Sequence, residues 1–233
     1  MRAKDTNPSH SPISMVAHEL QAPLTFLRSR LGAALASPAC EGDLRTLVQQ
    51  CLEEIEGMSR MVLDLLLFGQ ADAGRLPREP GELDLSRVAD EVARRFRHHG
   101  ESKGLRMELS VKEPLPILGD EQQLMRVVSN LIDNAIKYTP GGGKLRVETA
   151  RQGSAAELVV ADTGPGIPKA HLPHLFEPFY QVDRKKSRDA GGVGLGLSIA
   201  KALAALNRGS LRVESVVRQG SRFILRIPLK PGS

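Results

Sequence analysis

The chain has no tryptophan, two tyrosines and six phenylalanines in 233 residues, an aromatic content of 3%. Base-stacking platforms for single-stranded nucleic acid are therefore scarce, and the formal charge of +5 with a pI near 9.4 reads as arginine spread over solvated helix faces. No nucleic-acid partner is expected. Cysteine is equally sparse. Cys40 and Cys51 both fall in or beside helical stretches, which argues against a disulfide framework and for a reducing cytoplasm. No run reaches the roughly 18 uninterrupted apolar residues of a membrane span, and the polar start from Met1 to Ser14 lacks the apolar middle of a signal peptide. What remains is ordinary for a globular chain, 41% hydrophobic and 25% charged, enough to bury a core.

After a Pro/Ser-bearing leader over 1–12, Ile13, Val16, Leu20, Leu24, Leu27, Leu31 and Leu35 repeat at helical spacing and fall within about 100° of arc. Ser37-Pro38-Ala39 breaks that helix. A second stripe, Leu44, Leu47, Val48, Cys51, Ile55, Met58, Val62, Leu65 and Leu66, then runs toward Ala73-Gly74. Two long helices cannot enclose an apolar core by themselves, so 13–74 is expected to pair with a second copy into a four-helix bundle. Residues 75–81 carry Pro and Gly and read as a linker.

From 82 to 233 the texture is mixed α/β. The pattern predicts a strand over 82–85, a helix capped by Ser86 and running to about His98, and a strand over 105–111. A helix over 120–138 and strands over 144–150 and 157–162 follow. The stretch 164–192 is loop-like, 195–206 is helical, and 210–215 with 222–228 closes as a hairpin. The fold class is α+β.

Asn130, Asn134 and Lys137 stand at i, i+4 and i+7, within about 60° on the helix. Leu124, Val127, Val128, Leu131 and Ala135 line its apolar side. Side-chain amide oxygens suit Mg²⁺ and an ammonium suits phosphate, although that face alone would also fit a solvated polar surface. Asp162-Thr163-Gly164-Pro165-Gly166 follows an apolar strand. A carboxylate there can accept from an exocyclic amine while glycines admit a flat ring, yet Asp-Gly turns are common. Gly191-Gly192-Val193-Gly194-Leu195-Gly196-Leu197 opens a helix whose bare N–H groups can cradle phosphates. No Rossmann unit precedes it and no Walker lysine follows, so the dinucleotide and P-loop readings fail. His18, beside Glu19, lies about 150° from the centre of the first apolar stripe and faces solvent. It has no second His at i+4 to form a zinc pair.

These four segments, in this order, resemble the phosphoacceptor, N, D and G boxes of the sensor histidine kinases, over the chain from about Ile13 to Leu229. Leu175-Phe176-Glu177-Pro178-Phe179-Tyr180 is similar to the family's F box in its lid over ATP. The resemblance implies a dimeric helical hairpin carrying histidine phosphotransfer (13–74), then a two-layer α/β sandwich with a mixed sheet, the Bergerat ATP-binding fold (82–233). It implies ATP and Mg²⁺ as well. Asn134 would hold the metal with Asn130 assisting, Lys137 would contact phosphates and Tyr138 would flank the base. Asp162 would bind the adenine amino group, and Gly164 and Gly166 would shape its pocket. Gly192, Gly194 and Gly196, followed by Leu197, would line the phosphates, with Phe179 and Arg184 in the lid.

The implied activity is autophosphorylation of His18, with Glu19 orienting the ring and taking its proton, followed by transfer to an aspartate of a response regulator. The implied location is the cytoplasm, as a free kinase or as the cytoplasmic part of an inner-membrane receptor. Ala22 stands four residues after His18, where many members carry Thr or Asn to orient water, and so predicts weak phosphatase activity. A hydrolytic ATPase of the same fold typically has Glu where Asn130 stands, and it leaves His18 unexplained. A catalytically dead dimeric scaffold leaves every box unexplained.

Overall fold

A computed structural model describes residues 21, 23–32, 41–72, 75–111, 113–183 and 194–232. The chain divides into two compact units, Met1–Leu66 and Leu67–Ser233. In the first, α1 (23–32) carries Leu24, Leu27 and Leu31 of the first stripe and α2 (Glu41–Asp72) carries the second; Ile13, Val16, Leu20 and Leu35 lie outside the described residues. Cys51 and Met61 are buried, but Leu44, Val48, Leu52, Ile55, Leu63 and Leu66 stand 47–63% exposed. So long an uncovered apolar stripe is unusual for a monomer. Among the described residues no helix is long and apolar enough to cross a membrane.

The second unit is an α/β sandwich. Its strands are β1 (Gly81–Asp84), β2 (Arg106–Val111), β3 (Pro116–Gly119), β4 (Lys144–Gln152), β5 (Ala155–Asp162), β6 (Ser210–Val216) and β7 (Gly220–Pro228). Its helices are α3 (Leu85–Ser102), α4 (Glu121–Tyr138) and α5 (Gly196–Leu206). Five strands form a mixed sheet in the order β2-β4-β5-β7-β6, and β1 pairs with β3 apart from it. Only β2 and β4 run parallel, with α4 in the crossover between them; the other pairings in the sheet are antiparallel.

Strand alternation decides which face is which. Leu145, Val147, Ala156, Leu158, Val160, Phe223, Leu225 and Ile227 are all buried at every second position, on the face packed by α3, α4 and α5. Each Leu, Val, Ile or Phe among them contributes roughly 1.5–3 kcal/mol relative to exposure. The opposite face is charged. Arg146 pairs with Glu108 at 3.0 Å and Glu148 at 3.1 Å, and Arg212 with Glu214 at 2.9 Å.

Two sequence expectations give way to local chemistry. Asp84, extended at φ −104°, caps α3 by accepting Ser86 N at 2.9 Å. Ser86, the expected cap, sits inside the first turn, where its hydroxyl donates to Glu113 O at 2.7 Å and pairs with Thr149 Oγ1 at 3.0 Å. The helix also runs past His98 to Ser102. Gly100 does not end it, because that glycine serves packing: a Cβ there would lie 2.4 Å from Met107 Sδ.

Candidate functional site

Helix α4 carries the site's first wall. Asp120 caps it by accepting Gln123 N at 3.0 Å, and the buried stripe Leu124, Val127, Val128, Leu131, Ile132, Ala135 and Ile136 fixes its rotation. Asn130 and Asn134 are left half-buried at the margin. Asn130 Nδ2 donates to Gly196 O at 3.0 Å, which ties α4 to the first turn of α5. That bond uses the amide nitrogen, so the oxygen is the atom left for coordination. Lys137 Nζ pairs with Asp133 Oδ2 at 2.8 Å, one turn back. Asp133 was not singled out from the sequence, though an acid at i−4 from a lysine is the pairing that helix geometry favours.

The C-terminus of α4 is closed by Lys103, whose Nζ donates to Ile136 O at 2.6 Å and Lys137 O at 2.7 Å. Burial pushes the Lys103 ammonium down from its ordinary pKa. Thr139, fully buried, donates its hydroxyl to Ala135 O at 2.6 Å. Tyr138, 37% exposed, is the last helical residue.

Asp162 ends β5 on the inner face, in register with Leu145 on one side and Ser221 on the other. Its Oδ1 accepts Gly164 N at 2.7 Å. Burial pushes the carboxyl up from its ordinary value, and backbone hydrogen bonds from Gly164 and Ser221 pull the other way with less effect. Gly164 fits because a Cβ there would stand 2.8 Å from Asp162 Oδ1 and 3.2 Å from Tyr138 O. Gly166 has φ +68°, with Val216 O 2.1 Å from where its Cβ would be. Gly220 opens β7 after the β6–β7 turn. Its φ is +110°, and a Cβ would lie 1.9 Å from Asp162 O.

The third wall joins the F-box segment to α5. Phe179 is buried with φ 64°, and its N–H donates to Gly194 O at 2.9 Å. Gly194, at φ +79°, leaves no room for a side chain, since its Cβ would be 2.8 Å from Phe179 C. Lys201 Nζ lies 5.1 Å from the centre of the Phe176 ring. The first turn of α5 has no side-chain cap and no acidic residue, so its N–H groups are available to an anion. Gly196 and Leu197 are half-buried there. Asn130, Gly196 and Leu197 thus meet at one margin, and Asp162, Gly164 and Tyr138 at another. His18, Glu19, Ala22, Arg184 and Gly192 lie outside the described residues.

Comparison with known proteins identifies the family of both parts of the chain. Residues 119–231 match the family described as "Histidine kinase-, DNA gyrase B-, and HSP90-like ATPase", and residues 13–74 match the "His Kinase A (phospho-acceptor) domain". The sensor histidine kinase CusS of Escherichia coli is 33% identical over 213 residues, 91% of this chain and 44% of that protein. The chain therefore spans less than half the length of this curated relative. Among solved structures, the Acinetobacter baumannii histidine kinase AdeS is similar over 91% of this chain and 98% of its own, at 26% identity and a TM-score of 0.75. The mycobacterial sensor histidine kinase MprB is 31% identical over 66% of this chain and 99% of its own, with a TM-score of 0.55. The ATPase-type sandwich after a phosphoacceptor helical region defines a class of ATP-using signalling kinase. The chain belongs to the sensor histidine kinase family, as a catalytic core.

Proposed function

We propose that the chain uses Mg·ATP to phosphorylate its own His18 and passes the phosphoryl group to an aspartate of a response regulator. The observation that carries this reading is the Asn130–Gly196 bond of 3.0 Å, because it sets an amide-bearing helix face against an uncapped helix N-terminus. That pairing suits a metal-bound polyphosphate. Amide oxygens are hard ligands for Mg²⁺, and helix N–H groups favour phosphate.

In this reading Asn134 and Asn130 would hold Mg²⁺, which when bound neutralises charge on the phosphates. Lys137, now on Asp133, turns its ammonium to the nucleotide phosphates. Asp162 accepts from the adenine amino group, Gly164 and Gly166 keep the pocket flat, and Tyr138 borders the base. Gly194, Gly196 and Leu197, with Gly192 and Arg184, border the phosphates, and Phe179 anchors the segment before them.

Neutral His18 attacks the γ-phosphorus through one ring nitrogen, the bond to ADP breaks, and Glu19 takes the proton from the other nitrogen. The exposed stripe on α1 and α2 supports pairing with a second copy, which would bury Leu44, Leu52, Leu63 and Leu66. Ala22 offers no hydrogen-bonding group to place water on the regulator's aspartyl phosphate, so phosphatase activity is weak. The test is to load the chain from γ-labelled ATP, remove nucleotide and add a purified receiver domain. The label should move to the receiver. Phosphate release without a labelled protein at any time would instead favour a hydrolytic ATPase.

A further inference from the structure

The segment from Asp162 to Ile167 is held from outside by the β6–β7 hairpin. Ile167 N donates to Ser215 Oγ at 2.8 Å, and Arg218 N donates to Pro165 O at 2.7 Å. Ser215 Oγ also lies 2.8 Å from Gly220 O and 3.0 Å from Ser221 Oγ. A hydroxyl has one proton and two lone pairs, and these contacts use them all. The proton goes to Gly220 O, which can only accept, and the lone pairs receive Ile167 N–H and the Ser221 hydroxyl.

Ser215 therefore joins the far end of the loop to the two residues that flank Asp162 across the sheet. Ser221 is the register partner of Asp162 and gives its carboxylate a backbone hydrogen bond. Gly220 is packed against the Asp162 carbonyl so closely that a Cβ would lie 1.9 Å from it. Gly166, between the two tethered positions, has no space toward Val216 O. A shift of Ser215 is transmitted to both sides of the carboxylate, because neither glycine contact has slack.

We infer that Ser215 is a positioning residue for base recognition, whose hydroxyl holds Ile167, Gly220 and Ser221 so that Asp162 meets the exocyclic amine of an aminopurine. The inference rests on the proposed contact between Asp162 and that amine. It adds a residue that touches no nucleotide and still sets discrimination between purines with and without the amino group.

The test uses the 233-residue chain with Mg²⁺, measuring affinity for ATP and for purine riboside triphosphate, which lacks the amine. The wild type should prefer ATP. Ser215→Ala should weaken ATP by about 5- to 10-fold and the analogue by less than about twofold, the scale of one misplaced hydrogen bond. Ser215→Thr, which keeps a hydroxyl, should restore the preference. If Ser215→Ala does not fold by thermal melting, Ser215→Cys keeps the volume with only a weak donor and acceptor and must show the same selective loss. Equal losses on both nucleotides, or no loss on ATP, overturn the role of Ser215 alone. A wild type that binds both equally overturns the Asp162 contact and the inference with it.

Discussion

Asn130 donates its side-chain amide to the Gly196 carbonyl at 3.0 Å, joining two helices that the sequence separates by 66 positions. The bond places the polar face of α4 beside the only turn of α5 with backbone donors to offer. Asn134 lies one turn further along that face, whereas Asp162 stands on a different element, at the end of β5, and in the proposed function meets a different part of the nucleotide.

The two residues should therefore fail differently. With Asn134 in its proposed place on Mg²⁺, Asn134→Ala should lower the rate of His18 phosphorylation on the order of 100-fold, because the metal would neutralise charge that develops in the transition state. Asp162→Ala should weaken nucleotide binding itself, by about 1.5–3 kcal/mol. Titration with a fluorescent ATP analogue, set beside single-turnover labelling, separates these effects. Unchanged affinity in Asp162→Ala contradicts the assignment.

Asp162 also predicts a trade between stability and binding. Its folded-state pKa is raised, mainly by burial. The unfolded chain thus ionises first as pH rises, and the carboxyl stabilises the fold below its unfolded pKa, a contribution lost as pH climbs through the folded value. At neutral pH the charge is a net cost to the nucleotide-free domain. Asp162→Asn keeps an oxygen for Gly164 N and removes that cost. Its melting temperature should exceed that of the wild type at neutral pH, with the gap closing in acid, while its ATP affinity falls. A gap that widens on acidification contradicts the sign.

Close packing beneath the site predicts unequal glycine and asparagine costs. Gly220→Ala combines a positive φ with overlap on the Asp162 carbonyl, and should cost at least about 2 kcal/mol. Gly153→Ala, with positive φ but open space, should cost only about 1 kcal/mol. Asn207 is fully buried, accepting Asp120 N at 2.7 Å and donating to Gln123 Oε1 at 3.0 Å and Leu203 O at 2.8 Å. Asn207→Ala leaves several of these groups unpaired and should cost about 2–4 kcal/mol. Urea unfolding of the three variants should rank Gly153→Ala as the mildest.

Much of this was legible in residue spacing. The apolar repeat of α4 placed Asn130 and Asn134 on its margin, and the structure finds both half-buried beside a buried stripe. The apolar run Leu158-Val159-Val160-Ala161 marked β5 and its terminal Asp162, as expected of a central strand buried along much of its length. Four-residue β3 was missed: Pro116-Ile-Leu-Gly119 is too short to show a period and begins with a residue that cannot donate. The Asp84 cap was displaced to Ser86 because both are good capping types, and only the tertiary partners Glu113 and Thr149 decide between them. The tether from Ser215 to Ile167 spans 48 positions, and no local pattern encodes it.

The most direct measurement is site mapping of label after incubation with γ-labelled ATP and Mg²⁺, comparing the wild type with His18→Gln. The wild-type chain should carry an acid-labile, base-stable label and His18→Gln none, with ATP affinity unchanged by the substitution. Equal labelling of His18→Gln, or a label stable to acid, would contradict phosphorylation at His18.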